Sequence, residues 1–138
     1  MPASGRSPRG ASPRVDFIEL HILHHASEGP LYGLWMIEEL ARHGYAVNAS
    51  HLYPRFHRLA RQGYVSRRDV VVDGKLRKYY RATRQGRAYL ARQKNRLVEL
   101  VSEALSPEEL AEAQRRRRRR DTRGREPRRR GRVARSRP

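Results

Sequence analysis

Apolar residues along this chain recur first with helical spacing, then alternate, then return to helical spacing, and the switches mark the elements. Residues 16–27, DFIELHILHHAS, gather Ile18, Leu20, Ile22, Leu23 and Ala26 in one run, with Asp16 placed to cap a helix. Gly29-Pro30 ends that helix and starts a second, EGPLYGLWMIEELARHGY, with Leu34, Ile37, Leu40 and Ala41 as the expected buried stripe and Gly44 as the C′ residue. In residues 48–65, NASHLYPRFHRLARQGYV, Leu52, Phe56, Leu59 and Ala60 fall at i, i+4, i+7 and i+8, and Gly63 closes the third helix. Pro54 leaves two starts open. Capped by Asn48, it is the sixth helical residue and strips a donor from the Ser50 carbonyl; capped by Ser50, it ends the first turn.

The period then changes. In YVSRRDVVVDGKLRKYYRAT, β-branched and aromatic residues flank Asp73-Gly74, a dipeptide suited to the type I′ turn of a two-residue hairpin. That turn pairs Val72 with Lys75, Val71 with Leu76, Asp69 with Lys78 and Arg68 with Tyr79. One face is expected to hold Val65, Val71, Leu76, Tyr80 and Ala82 inward. The other holds Ser66, Arg68, Val70, Lys75, Arg77, Tyr79 and Arg81 outward. Thr83 can cap a fourth helix of about six turns with a stripe of Leu90, Leu97, Leu100, Val101, Ala104 and Leu105. One small core cannot cover that length, so its far end is expected to pack on a second copy. Ser106, Pro107 and Glu109 fit the cap, N1 and N3 of a further helix, and beyond Gln114 the chain is a charge run without apolar period.

With 138 residues, 37% hydrophobic and 33% charged, the chain supports one core rather than two. The expected division is a disordered basic arm (1–14), a DNA-binding domain (15–83), dimerisation helices (84–114) and a disordered arginine-rich tail (115–138). A net charge of +18 points to a polyanionic partner. Most of the excess is arginine, lysine occurring only at Lys75, Lys78 and Lys94. There is no cysteine, which removes disulfides and thiolate chemistry and fits a reducing compartment. No apolar run reaches membrane-spanning length and no h-region follows the basic N-terminus, so a cytoplasmic protein without membrane contact is expected.

Three helices and a hairpin in this order predict a mainly α fold with a small β-hairpin, a winged helix-turn-helix domain followed by a long dimerisation helix. His51, Arg55, Arg58 and Gln62 recur at i, i+4, i+7 and i+11 on the third helix, expected opposite Leu52, Phe56 and Leu59, and the wing repeats the basic pattern. Arginine can fork onto guanine or grip a phosphate. The bland alternative is an ordinary charged helix surface. Two successive basic faces where a winged domain meets DNA weigh against it.

The segments GPLYG, LYPRFHRLARQGYV and RKYYRATRQGRAYL, in that order and spacing, resemble the PadR family of bacterial transcriptional regulators over roughly residues 15–105. The resemblance implies a dimeric winged-helix repressor on palindromic operators, joined through C-terminal helices and often responsive to phenolic or drug-like molecules. By motif match, Tyr53, Lys78 and Tyr79 are DNA-contacting positions. Where the family has a Ser-Pro-Gly-Thr lead-in, this chain has Asn48-Ala49-Ser50-His51, and the arginine tail lies outside the family pattern.

The expected recognition-helix contacts are therefore Ser50, His51, Tyr53, Arg55, Arg58 and Gln62, and the wing contacts are Arg68, Lys75, Arg77, Lys78 and Tyr79. Trp35 is a candidate wall of an aromatic effector pocket, weighed against simple packing. His21, His24 and His25, with Glu28, have spacing that a transition metal can use. Because that helix is needed for the core, neither a metal nor a cofactor is expected. No phosphate loop, nucleophile elbow or paired carboxylates occur, so an enzyme is not expected. The expected partners are double-stranded DNA, a second copy and a small aromatic effector. The rival readings are a non-specific nucleic-acid-coating protein acting through its arginine tails and a module that pairs its fourth helix with a different protein.

Overall fold

A computed structural model describes residues 16–123 of the chain. The order is α1 (Phe17–Glu28), β1 (Leu31–Tyr32), α2 (Gly33–Arg42), α3 (Ala49–Arg61), β2 (Val65–Val72), β3 (Lys75–Ala82), α4 (Arg84–Ala104) and α5 (Pro107–Arg123). The fold is mainly helical with a small antiparallel sheet, as expected. The arm at 1–14 and the tail from residue 124 onward lie outside the described residues.

Four of the five helices start where a side chain replaces a missing backbone acceptor, the exception being α2, which follows directly from β1 with Tyr32 at its N-cap. Asp16 Oδ1 accepts from the Glu19 amide at 2.7 Å, Asn48 Oδ1 from the His51 amide at 3.1 Å, and Thr83 Oγ1 from the Gly86 amide at 2.9 Å. Asn48 thus settles the start of α3, and Pro54 lies inside the helix. At α5, Ser106 and Glu109 cap each other reciprocally.

The hairpin register is the expected one, from Val65↔Ala82 to Val72↔Lys75. Both turn residues have positive φ, 51° at Asp73 and 77° at Gly74, which a type I′ turn demands. The sheet gains a strand that the sequence reading lacks. β1 pairs with β3 through Leu31↔Tyr80 and Tyr32↔Tyr79, giving the order β1-β3-β2. Helix α2 consequently starts at Gly33, not at Pro30.

The expected stripe of α2 is wrong in phase. Trp35, Met36 and Leu40 are buried, whereas Leu34 is 58% exposed and Ala41 is exposed. The physical reason is Glu39. Its carboxylate is buried on the inner side because His25 and His43 meet it, so a polar residue does not mark the solvent side here.

The hairpin faces need two corrections. Val71 and Leu76, expected inward, are 68% and 61% exposed because the eight-residue strands run past the body of the domain. Tyr79, expected outward, is 5% exposed because β1 lays Tyr32 across it, with ring centroids 5.5 Å apart.

The core joins α1 (Ile22, Leu23, Ala26), α2, α3 (Leu52, Phe56, Leu59), the root of the wing (Val65, Tyr80, Ala82) and the first turns of α4 (Tyr89, Leu90). Phe56 and Tyr80 stack at 4.1 Å, almost parallel, and fix the recognition helix to the wing. Gly86 lets α4 start against β2: a Cβ there would overlap the Tyr64 carbonyl oxygen. Leu90, expected at a dimer contact, belongs to this core. The arginine run also departs from expectation, since Arg115–Arg120 lie within helix α5 rather than an unstructured tail. Glu112 with Arg115 and Arg116, and Arg117 with Asp121, supply the i, i+3 and i, i+4 pairs that support it.

Candidate nucleic-acid interface

Helix α3 buries Leu52, Phe56 and Leu59. At 100° per residue, the line opposite those three passes through Ser50, Pro54, His57 and Arg61, all exposed. The expected donor stripe of His51, Arg55, Arg58 and Gln62 lies about a quarter turn away, on the flank beside α1. His57 and Arg61 are exposed α3 residues that the expected contact set leaves out. Their signal was present in the spacing: they continue Ser50 and Pro54 at i+7 and i+11.

The flank position has a consequence for both arginines. Arg55 donates from Nε and Nη2 to Asp16 Oδ2 at 3.1 and 3.0 Å, and from Nη1 to the His51 carbonyl at 2.8 Å. Arg58 Nη2 donates to Glu19 Oε1 in a close pair. Glu19 is 3% exposed. A carboxylate buried to that degree costs several kcal/mol without a partner, so Arg58 is committed in part to holding α1. Its side chain is still 45% exposed and keeps further donors at the surface. Of the expected recognition-helix contacts, Ser50, His51 and Gln62 are exposed, while Arg55 is spent on α1.

Tyr53 is half-buried and serves as a hinge pin. Its hydroxyl fills the place where a Cβ on Gly33 would sit, which seats α3 on the first turn of α2. The Lys78 ammonium lies over its ring at 6.0 Å from the centroid. A shallow cleft of about 250 Å³ follows, lined by Tyr32, Gly33, Leu34, Tyr53 and the wing residues Leu76, Arg77 and Lys78. Arg77 stacks on Tyr32 at 4.7 Å. Arg68 and Lys75 are exposed, so four of the five expected wing contacts reach the surface and Tyr79 does not. On the neighbouring edge, Arg67 forks onto Asp69 at 2.8 and 2.9 Å, and that hydrogen bonding holds the Asp69 carboxyl below its ordinary range.

The remaining expected residues sit elsewhere. Trp35 is 6% exposed inside the core, its ring edge-on to His25 at 5.3 Å. On α4, Leu100 is 53% and Leu105 38% exposed, Leu97 and Val101 are half-buried and Ala104 is exposed. Val98, 63% exposed, joins them. No helix among the described residues is long and apolar enough to cross a membrane.

Comparison with known proteins matches this geometry. The profile of the Transcriptional regulator PadR-like family covers residues 22–92, from the middle of α1 to the first turns of α4. The transcriptional regulator Rv3488 of Mycobacterium tuberculosis is 47% identical over 88 residues, 64% of this chain and 82% of that protein. A PadR family regulator from Eggerthella lenta superposes with a TM-score of 0.57 at 31% identity, over 62% of this chain and 76% of the other. The fold is also similar to Bacillus subtilis PadR in complex with operator DNA, with a TM-score of 0.52 at 22% identity, over 56% and 46% of the two chains. A matched profile spanning more than half the sequence, and a winged helix-turn-helix with its reading helix exposed, place this chain in the PadR-like family of transcriptional regulators.

Proposed function

We propose that this regulator binds double-stranded DNA sequence-specifically as a homodimer and represses transcription from a palindromic operator in the cytoplasm. The observation that carries the reading is the continuity of α3 with the wing. Tyr53 and Lys78 join them, so the Ser50, His57, Arg61 line and the Arg68, Lys75, Arg77 group belong to one basic surface. The α3 line enters the major groove, and the wing grips the flanking phosphates. Arg61 and His57 supply donors to base edges, Ser50 and His51 hold phosphate, and Arg55 keeps α3 registered on α1.

The exposed apolar residues beyond the core, Val98, Leu100 and Leu105, form the dimer contact with Leu97 and Val101. Two copies joined there present their α3 helices to half-sites about 34–36 Å apart. The similarity in fold to B. subtilis PadR, whose structure holds operator DNA, supports the DNA-binding part of this reading. A small aromatic effector acting at the dimer helices would change the separation of the reading heads and thereby the affinity.

The six consecutive arginines of α5, exposed all round the helix, favour a second reading, sequence-independent coating of nucleic acid. Selection of bound sequences from a random DNA pool at stated salt separates the two. A repressor enriches a palindrome and keeps its specificity ratio when residues 115–138 are removed. A coating protein enriches nothing and loses nearly all binding.

A further inference from the structure

Where α1 faces the C-terminal end of α2, the fold brings together groups to which the proposed DNA-binding surface gives no role. His21 and His25 stand at i and i+4 on α1, and Glu39 on α2 and His43 at its C-cap are likewise i and i+4. The nitrogens of His21, His25 and His43 lie within 4.8 Å of one another. Glu39 Oε2 is 3.0 Å from His43 Nε2 and 3.5 Å from His25 Nε2. From these four residues we propose a binding site for a divalent transition metal of the zinc class, bridging α1 and α2.

The distances suit that ion. Ligand atoms around a tetrahedral zinc, with bonds of about 2.0–2.1 Å, are separated by about 3.3 Å, close to both measured Glu39 separations. His21 closes the remaining gap by side-chain rotation: its ring stacks on His43 at 4.7 Å between centroids. The orienting group is also present. His25 Nδ1 faces Glu28 Oε1 at 3.3 Å, and a carboxylate on one ring nitrogen turns the other, Nε2, toward the metal. Trp35 stands edge-on to the same ring and shields it from water. Glu39 and Glu28 together carry the two negative charges that match a dication. Three imidazoles and one carboxylate, in a chain without cysteine, select zinc, nickel or cobalt over softer ions. The spacing on α1 alone offers His21, His24 and His25 with Glu28. The fold replaces His24 by His43, from a different helix, and turns Glu28 into a supporting group.

The test is titration of the tag-free full chain, stripped with chelator, with Co²⁺ followed by visible absorption and then by Zn²⁺ competition. The expected result is one ion per chain with tetrahedral intensity, displaced by zinc, and a melting temperature that rises with zinc concentration. Glu28→Gln is expected to weaken binding about 10- to 100-fold, and His21→Ala and His43→Ala by more. His24→Ala and His57→Ala are expected to leave it unchanged. Absence of saturable binding overturns the proposal. So does a site lost in His24→Ala but retained in His43→Ala, which places the ion on the surface group of His24, His25 and Glu28. Should a variant fail to fold, X-ray absorption of the cobalt-loaded native chain decides. Three imidazoles in the ion's coordination shell uphold the site, and fewer overturn it. None of these readouts depends on DNA.

Discussion

Arg55 lays two donors, Nε and Nη2, on one carboxylate oxygen of Asp16, a residue 39 positions earlier whose other oxygen caps α1. One side chain therefore starts the first helix and anchors the recognition helix to it. Asp16→Asn keeps the cap acceptor and removes the charge, so stability is expected to fall by no more than about 1 kcal/mol, since the pair is partly solvated. The freed Arg55 gains a phosphate contact, and the log-log salt slope of DNA binding is expected to steepen by about 0.9. Arg55→Ala is expected to weaken binding to all sequences alike. Anisotropy titrations across a salt series check both, and a changed base preference in Arg55→Ala would restore Arg55 as a base reader.

Arg61 and His57 occupy the outer line of α3 with Ser50, and among the described residues neither forms an ion pair of the kind that joins Arg55 to Asp16. Arg61→Ala is expected to cost about 1–3 kcal/mol on the selected operator and much less on scrambled DNA at the same salt. His57→Ala is expected to follow the same pattern with a smaller loss. Equal losses on both DNAs would move these residues from base reading to backbone contact.

Pro54 stands on that same outer line, so its ring faces solvent and its missing amide leaves the Ser50 carbonyl without the usual helical donor. Pro54→Ala restores the bond and relieves the turn. The loss of the proline's restraint on the unfolded chain offsets part of the gain, leaving stabilisation of about 1–2 kcal/mol. Denaturant unfolding measures it. Operator affinity is expected to fall despite the gain, because the proline at the sixth helical position sets the approach of Ser50 and His51.

What the sequence disclosed follows the range of the forces involved. Caps at Asp16, Asn48 and Thr83, and the Asp73-Gly74 turn, are local chemistry, and their positions and the hairpin register were legible from neighbours alone. Strand β1 was not, because two residues carry no period and Leu31-Tyr32 becomes a strand only when β3 arrives. The phase of α2 failed for a related reason: Glu39 looked like a surface residue until His25, on another helix, met it. The spacing of the arginines on α3 discloses a basic stripe, but not that it lies on the flank beside α1, about a quarter turn from the outermost line of the helix. Asp16 and Glu19, which capture two of them, are distant in sequence.

Tyr80 stacks on Phe56 with its hydroxyl buried and without a hydrogen-bond partner among the described residues. Burial also pushes that hydroxyl's pKa upward. Tyr80→Phe removes the unsatisfied group and keeps the ring, so the domain is expected to gain about 1 kcal/mol, read from the midpoint of urea unfolding. A clear loss of stability would mean that the hydroxyl has a partner in solution, such as an ordered water.

The α4 stripe divides into two groups that a single pair of substitutions separates. Leu90 is 6% exposed and packs in the core of its own chain, so Leu90→Ala is expected to destabilise that chain by about 2–5 kcal/mol at any protein concentration. Leu100 is 53% exposed and reaches past that core, so Leu100→Glu adds a charge without opening a cavity in it. If the exposed group is the dimer contact, Leu100→Glu gives a folded monomer by light scattering with an unchanged helical circular dichroism signal. Its operator affinity then drops steeply, because each reading head must bind without its partner. A native-sized dimer in Leu100→Glu would place the contact elsewhere, with the exposed surface of α5 as the next segment to substitute.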